Sequence, residues 1–241
     1  MELVKPGKIR QRGSIKFFKT PAGSHVIVLP TCSVPHESLI PENWHDAQDV
    51  GHMRRVTSVT GLKELGKPGK HLQILDLAGK PTTLYVKSPE RLFHSFGELH
   101  HGNPWLAYPD SKVLAAKLPE GDIRVEKQAV WEARILLGLV QGGVKAEEPQ
   151  AILVHADGTR EVVTKKVNRN VDYPLNPSRI REQLRSRPFR AIDAGEHNLI
   201  PTEHGTQIID VNRWEFPPFS DTYKKRLIEA VLEEVEKQKK K

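Results

Sequence analysis

Ala191-Ile192-Asp193-Ala194-Gly195-Glu196-His197-Asn198-Leu199-Ile200-Pro201-Thr202-Glu203-His204-Gly205-Thr206-Gln207-Ile208-Ile209-Asp210 is the stretch on which the reading of this chain turns. It opens with an acid and an amide in an Asp-x4-Asn spacing, Asp193 and Asn198. Leu199-Ile200 and Gln207-Ile208-Ile209 then flank Glu203-His204-Gly205, the pattern of a short hairpin. Asp210 follows two isoleucines. A carboxylate at the end of a buried strand costs free energy unless a metal, a hydrogen bond or a cation meets it. The bland alternative makes Asp193-Ala194-Gly195 a turn and pairs Asp210 with Arg213 or Arg190.

Upstream, Asn176-Pro177-Ser178 starts a short basic helix over 180–184, with arginines at 179, 181, 185 and 187 around it. Before that, residues 151–154 and 161–164 flank an Asp157-Gly158 turn and read as a hairpin. A helix over 123–140 is predicted from Ala129, Ala133, Leu136, Leu137 and Val140, spaced by three and four, and Gly142-Gly143 stops it. Glu132 lies beside that apolar stripe. A strand over 113–117 precedes the helix and ends on Lys117. It pairs with 105–108 across Pro109-Asp110-Ser111, and another hairpin joins 72–77 to 82–86. The last helix, 221–238, carries Leu227, Ile228, Val231, Leu232 and Val235 on one face. Residues 1–65 mix Lys and Arg with Pro, Gly and Ser, and only 25–30 reads as a strand. The expected organisation is an irregular basic N-terminal extension or small appended unit (1–65), a sheet-rich lobe (66–168) containing the helix, and a reduced lobe (169–241) with the Asp/Asn loop and the terminal helix.

Composition bounds the function classes. The chain has 241 residues, one Cys, and 37 Lys+Arg against 30 Asp+Glu, a formal charge of +7. One thiol excludes an intramolecular disulfide framework and CxxC metal sites within the chain. No apolar run of about 18 residues is present to span a membrane, and residues 1–8 lack the apolar core of a signal peptide. A cytoplasmic protein is expected. The positive balance suits an anionic partner: a nucleotide, an RNA or an acidic protein. Arg179, Arg181, Arg185 and Arg187 are the candidate contacts for an RNA or acidic partner.

The order of strand-end Lys117, helix Glu132, loop Asp193 with Asn198, and strand-end Asp210 resembles the protein-kinase-like fold, nearest to the minimal atypical kinases of the RIO and Bud32 kind. The resemblance covers roughly residues 90–235. It implies an α+β fold, with an antiparallel sheet lobe bearing one packed helix and a reduced, mainly helical C-terminal lobe. It implies an ATP- and Mg²⁺-dependent phosphotransferase acting on a protein or small-molecule acceptor. By the same resemblance, Lys117 holds the ATP phosphates and Glu132 orients it. Asp193 accepts the acceptor's proton, Asn198 and Asp210 bind Mg²⁺, and Gly97 and Gly102 let the backbone approach the phosphates. The chain departs from the protein-kinase pattern in four places, the first being that no Ala-Pro-Glu run follows Asp210. Ala191-Ile192-Asp193 stands for His-Arg-Asp, Asp210-Val211-Asn212 stands for Asp-Phe-Gly, and no Gly-x-Gly-x-x-Gly loop precedes Lys117.

Those departures keep a non-catalytic pseudokinase open, and Glu126 rivals Glu132 as the partner of Lys117. An ATP-grasp ligase would use the same strand, Ile209-Asp210-Val211-Asn212, for Mg²⁺, with Lys117 and Lys165 or Lys166 on ATP. A basic nucleic-acid-binding protein needs only the arginine cluster. A zinc hydrolase would rest on His197 and His204 with Glu196 or Glu203, without recognisable tetrahedral spacing.

Overall fold

The computed structural model describes residues 3–50, 53–60, 71–87, 128–185, 198–209, 211 and 222–240. In chain order its strands are β1 (Arg10–Arg12), β2 (Ile15–Lys19), β3 (His25–Val28), β4 (Gln48–Val50), β5 (Met53–Val56), β6 (Ser58–Thr60), β7 (His71–Gln73), β8 (Leu84–Lys87), β9 (Glu148–Val154), β10 (Arg160–Lys165), β11 (Leu199–Thr202) and β12 (Gly205–Ile208). The helices are α1 (Gln128–Gln141), α2 (Pro177–Arg185) and α3 (Thr222–Lys239). Eight strands form one antiparallel sheet in the order β1-β2-β3-β9-β10-β8-β5-β4, while β6 pairs with β7 and β11 with β12. The fold class is therefore α+β.

The first 60 residues correct the expectation of an irregular extension. They supply β1 to β5 of the main sheet, with β3 hydrogen-bonded to β9 in the register His25↔Val154 to Val28↔Ala151. Hydrophobic alternation is the reason. Ile15 and Phe17 point to one face and Lys16 to solvent, and this period-two pattern needs a distant strand to be worth forming. Even the segment before β1 is tied down. The Asn43 side chain is fully buried and accepts from Val4 N–H at 2.7 Å while donating to Val4 C=O at 2.8 Å. Gly7 is the residue that permits this approach, because a Cβ there would meet the Lys19 carbonyl oxygen at 2.6 Å.

Both faces of the sheet are covered. On one, Ile15, Phe17, Ile27, Ile152, Val154 and Val162 pack under Ala129, Ala133 and Leu137 of α1 and Leu227, Ile228, Val231 and Val235 of α3. On the other, Phe18, Val26, Val28, Leu84, Val86, Leu153 and Val163 close over Leu39, Ile40, Val59 and Ile74. The terminal helix, which the sequence reading gives to the C-terminal lobe, thus lies on the main sheet beside α1. A third cluster joins Ile135, Leu136 and Leu139 of α1 to Val144, Ile180, Leu199, Ile208 and Val211. Because α1 is apolar on two sides, it is buried between the sheet and the β11–β12 hairpin.

The local expectations fare unevenly. The β9–β10 hairpin forms with its Asp157-Gly158 turn, where Gly158 takes a φ of +96° that only glycine adopts without strain. The Leu75–Pro81 turn closes, with Asp76 N–H donating to Lys80 C=O, but its arms part: β7 goes to β6, and β8 goes to β5 and β10. The 105–117 hairpin lies outside the described residues. No helix among the described residues is long and apolar enough to cross a membrane.

Candidate functional site

The site begins with the alternation of β8. Leu84 and Val86 enter the core away from the helices, so Lys87 points to the face that α1 covers. Lys87 ends the strand, opposite Val162 of β10 and Met53 of β5. Its side chain is only 7% exposed. The ammonium Nζ lies 2.9 Å from Glu132 Oε1 and 2.7 Å from Glu147 Oε2, and both glutamates are equally buried. A charge this deep is stable only when paired, so the three residues stand or fall together.

Glu132 is placed by helix geometry. It precedes Ile135, Leu136 and Leu139 by three, four and seven residues, so it occupies an apolar position of α1 on the side that packs toward β11–β12. Glu147 is placed by the backbone. After α1, Gly143 takes a positive φ of +78° and Val144 N–H donates to Leu139 C=O, which turns the chain. Residues 145–147 then clasp the end of β12. Ile208 N–H donates to Lys145 C=O at 3.0 Å, and Glu147 N–H donates to Ile208 C=O at 2.8 Å. A bulge at Gln150 follows, where Val163 pairs with Ala151 but Thr164 with Pro149. The extra residue is held by its own side chain, which accepts from Ser33 N–H at 2.7 Å and donates to Glu148 C=O at 3.0 Å. Bulges re-aim neighbouring side chains. Here Thr164, fully buried, donates its hydroxyl to Glu147 Oε1.

Among the described residues, two carboxylates therefore meet one ammonium, and a buried hydroxyl braces one of those carboxylates. Chemically, such a cluster fixes a lysine in one position and orientation.

Of the residues singled out from sequence, Glu132 is in this cluster. Asn198 is buried, and its C=O accepts from Ile209 N–H at 2.9 Å, which brings the two ends of the β11–β12 hairpin side by side. The neighbouring Ile208 is bonded on both sides to the loop that carries Glu147, so the amide-bearing hairpin abuts the lysine cluster through the backbone. Lys117, Gly97, Gly102, Asp193, Asp210 and the rival Glu126 lie outside the described residues, as do Arg187 and His197. Arg179 is exposed on α2, whose span includes Arg181 and Arg185. His204 is exposed at the β11–β12 turn, 3.2 Å from Glu203. Among the described residues, no group of three or more His, Cys, Asp or Glu is placed to hold a metal ion.

Lys87, Glu147 and Thr164 are the residues that sequence reasoning missed. A signal for Lys87 was present: it falls on the opposite parity to Leu84 and Val86, directly before Ser88-Pro89 ends the strand. Glu147 carried no signal, because its inward direction depends on the β12 clasp. Comparison of the chain with family models, curated proteins and solved structures finds no match.

Proposed function

We propose that this chain is an ATP- and Mg²⁺-dependent phosphotransferase of protein-kinase-like type, in which Lys87 fills the phosphate-binding role first given to Lys117. The observation that carries this reading is the buried Lys87–Glu132 pair, a strand-end lysine held by a carboxylate of the next described helix. The element order supports it. A strand with the lysine, a helix with the glutamate, a hairpin whose second strand returns beside the first, and a later hairpin opened by Asn198 follow one another as the resemblance implies.

The donor chemistry fits the implied ligand. Mg²⁺ takes hard oxygen donors, which the Asn198 amide and the Asp210 carboxylate provide. Bound Mg²⁺–ATP supplies the phosphoryl group and neutralises charge on its oxygens. The chain's own residues do the remaining work in this reading. Lys87, held by Glu132, presents a fixed positive charge to an anionic phosphate. Asp193 accepts the proton of the acceptor hydroxyl on its carboxylate oxygen. Gly97 and Gly102 give the backbone room near the phosphates. The acceptor is a protein or a small molecule with a hydroxyl group.

One observation favours a second reading. Glu147 gives Lys87 a second carboxylate, which opposes the binding of a phosphate at the same ammonium. A pseudokinase that binds nucleotide without transferring phosphate is the form this takes.

The test is thermal unfolding with and without Mg²⁺–ATP, together with transfer of labelled γ-phosphate. A ligand at 100 times its Kd stabilises by about 2.7 kcal/mol. Wild type should show a Mg²⁺-dependent shift that Asp210→Asn loses. A shift with no transfer, to water or to the chain itself, selects the pseudokinase. No shift at millimolar Mg²⁺–ATP sinks both readings.

A further inference from the structure

We propose that the β1 edge of the main sheet binds double-helical DNA, with cations on its two faces reaching phosphates on the two walls of the major groove. DNA binding at this edge does not require the phosphotransfer reading to hold. The sequence carries a charge asymmetry here. Residues 3–36 contain Lys5, Lys8, Arg10, Arg12, Lys16 and Lys19 and no Asp or Glu. The fold gathers all six at one margin. β1 is the outermost strand and β2 lies next to it. The segment leading into β1 continues along β2, where Gly7 abuts the Lys19 carbonyl.

These charges are mostly unspent. All six residues are exposed. Among the described residues one ion pair reaches them, Arg10 with Glu234 at 3.5 Å. Arg12 donates to Ala230 C=O at 3.4 Å, a hydrogen bond that leaves its charge uncompensated. The side chains of Lys5, Lys8, Lys16 and Lys19 have neither a hydrogen-bond nor an ion-pair partner among the described residues. Six cations less the one paired leave five for a ligand.

The directions of the cations distinguish between anionic partners. Arg10 pairs with Phe17 and Arg12 with Ile15, and both arginines meet α3 on the helix-covered face. Lys16 shares the parity of Phe18, which packs on the opposite face. A thin edge thus carries positive charge on both sides. An extended acidic peptide or a single nucleic-acid strand presents one anionic line and leaves the cations of one face unused. A duplex groove presents two phosphate walls, and the major groove of B-DNA, about 12 Å wide, admits a β-ribbon. The major groove of duplex RNA is too narrow for side chains to enter. Strand addition suits this edge poorly, because β1 has three residues and Ile9 is the one large apolar side chain exposed in residues 3–36. Stacking of unpaired bases needs exposed rings, and Phe17 and Phe18 are buried.

The experiment is fluorescence anisotropy of a labelled DNA duplex of about 20 base pairs, titrated with the full chain between about 50 and 200 mM salt. Saturable binding is expected, with log K falling against log salt at a slope of about −3 to −5. Arg12→Ala and Lys16→Ala, one from each face, should each reduce that slope by about one unit, and together weaken binding more than about tenfold. Arg12→Lys should keep the slope. The melting temperature should stay unchanged in all of these, because both positions are exposed. Arg179→Ala, on exposed α2, should bind as wild type does. No saturable binding at about 50 mM salt would overturn the proposal, as would equal binding by the Arg12→Ala, Lys16→Ala double variant. Single-stranded DNA, duplex RNA or polyglutamate bound as tightly as the DNA duplex would overturn it too.

Discussion

Two groups of polar side chains are buried on the helix-covered face of the main sheet, and the protein treats them in opposite ways. At one end, Lys87, Glu132, Glu147 and Thr164 satisfy one another. At the other, His25 is fully buried beside Val154, and among the described residues neither of its ring nitrogens has a hydrogen-bond partner. The nearby hydroxyl of Thr20 is buried and equally unmatched. Burial first, then the positive charges of Lys19 and Lys239, push the His25 pKa below 6.5. The lysine cluster is held by two backbone devices, the β12 clasp and the Gln150 bulge. The imidazole has no such support, and its burial disfavours the protonated form. Buried polar groups are matched here where the backbone brings partners to them.

The largest expected effect breaks the satisfied cluster. Lys87→Met leaves two buried carboxylates without their cation and should cost about 3–5 kcal/mol. Each kcal/mol lowers Tm by about 2–4 °C in a chain this long, so urea and thermal melts resolve it. Lys87→Met combined with Glu132→Gln and Glu147→Gln should recover most of that loss. A single variant as stable as wild type would show that the lysine does not compensate those acids.

A smaller effect comes from Thr164→Val, which removes the hydroxyl donor to Glu147 and should cost about 1–3 kcal/mol. Thr164→Ser should restore most of it. Equal stability of the two variants would mean that the hydroxyl contributes nothing to the cluster.

His25 sharpens the other side of the comparison through pH. The unfolded chain takes up a proton near pH 6.5 and the folded chain resists until lower pH. The stability linked to His25 is therefore complete above about pH 6.5 and declines as pH falls through and below it. His36, whose pKa burial also lowers, adds to the same slope. His25→Leu should flatten the decline between pH 7.5 and 5.5. An unchanged slope would place the acid sensitivity elsewhere.

The smallest effect lies outside both groups. Asn176 caps α2, its Oδ1 accepting from Arg179 N–H at 3.0 Å, and Asn176→Ala should cost about 1 kcal/mol with no change in pH dependence.

The elements that the sequence made legible are those closed by neighbours in the chain. The Asp157-Gly158 hairpin, the cap at Asn176, the α1 stripe and the apolar face of α3 follow from turn chemistry and helical period. Glu132 was also singled out, because it lies beside the apolar stripe of the helix and matches the glutamate that the kinase resemblance implies. What meets it was not visible. Lys87 lies 45 residues away in sequence and Glu147 reaches it from the loop beyond the helix. That convergence depends on β8 and β10 being neighbours and on Ile208 clasping residues 145–147. The joining of residues 10–60 to β8 and β9 was hidden for the same reason. Strand pairing over such separations is decided by which apolar faces can close a common core, and local sequence pattern does not encode that choice. The sequence by itself determined the helices, the turns and the candidate glutamate; only the tertiary structure decided which lysine that glutamate holds.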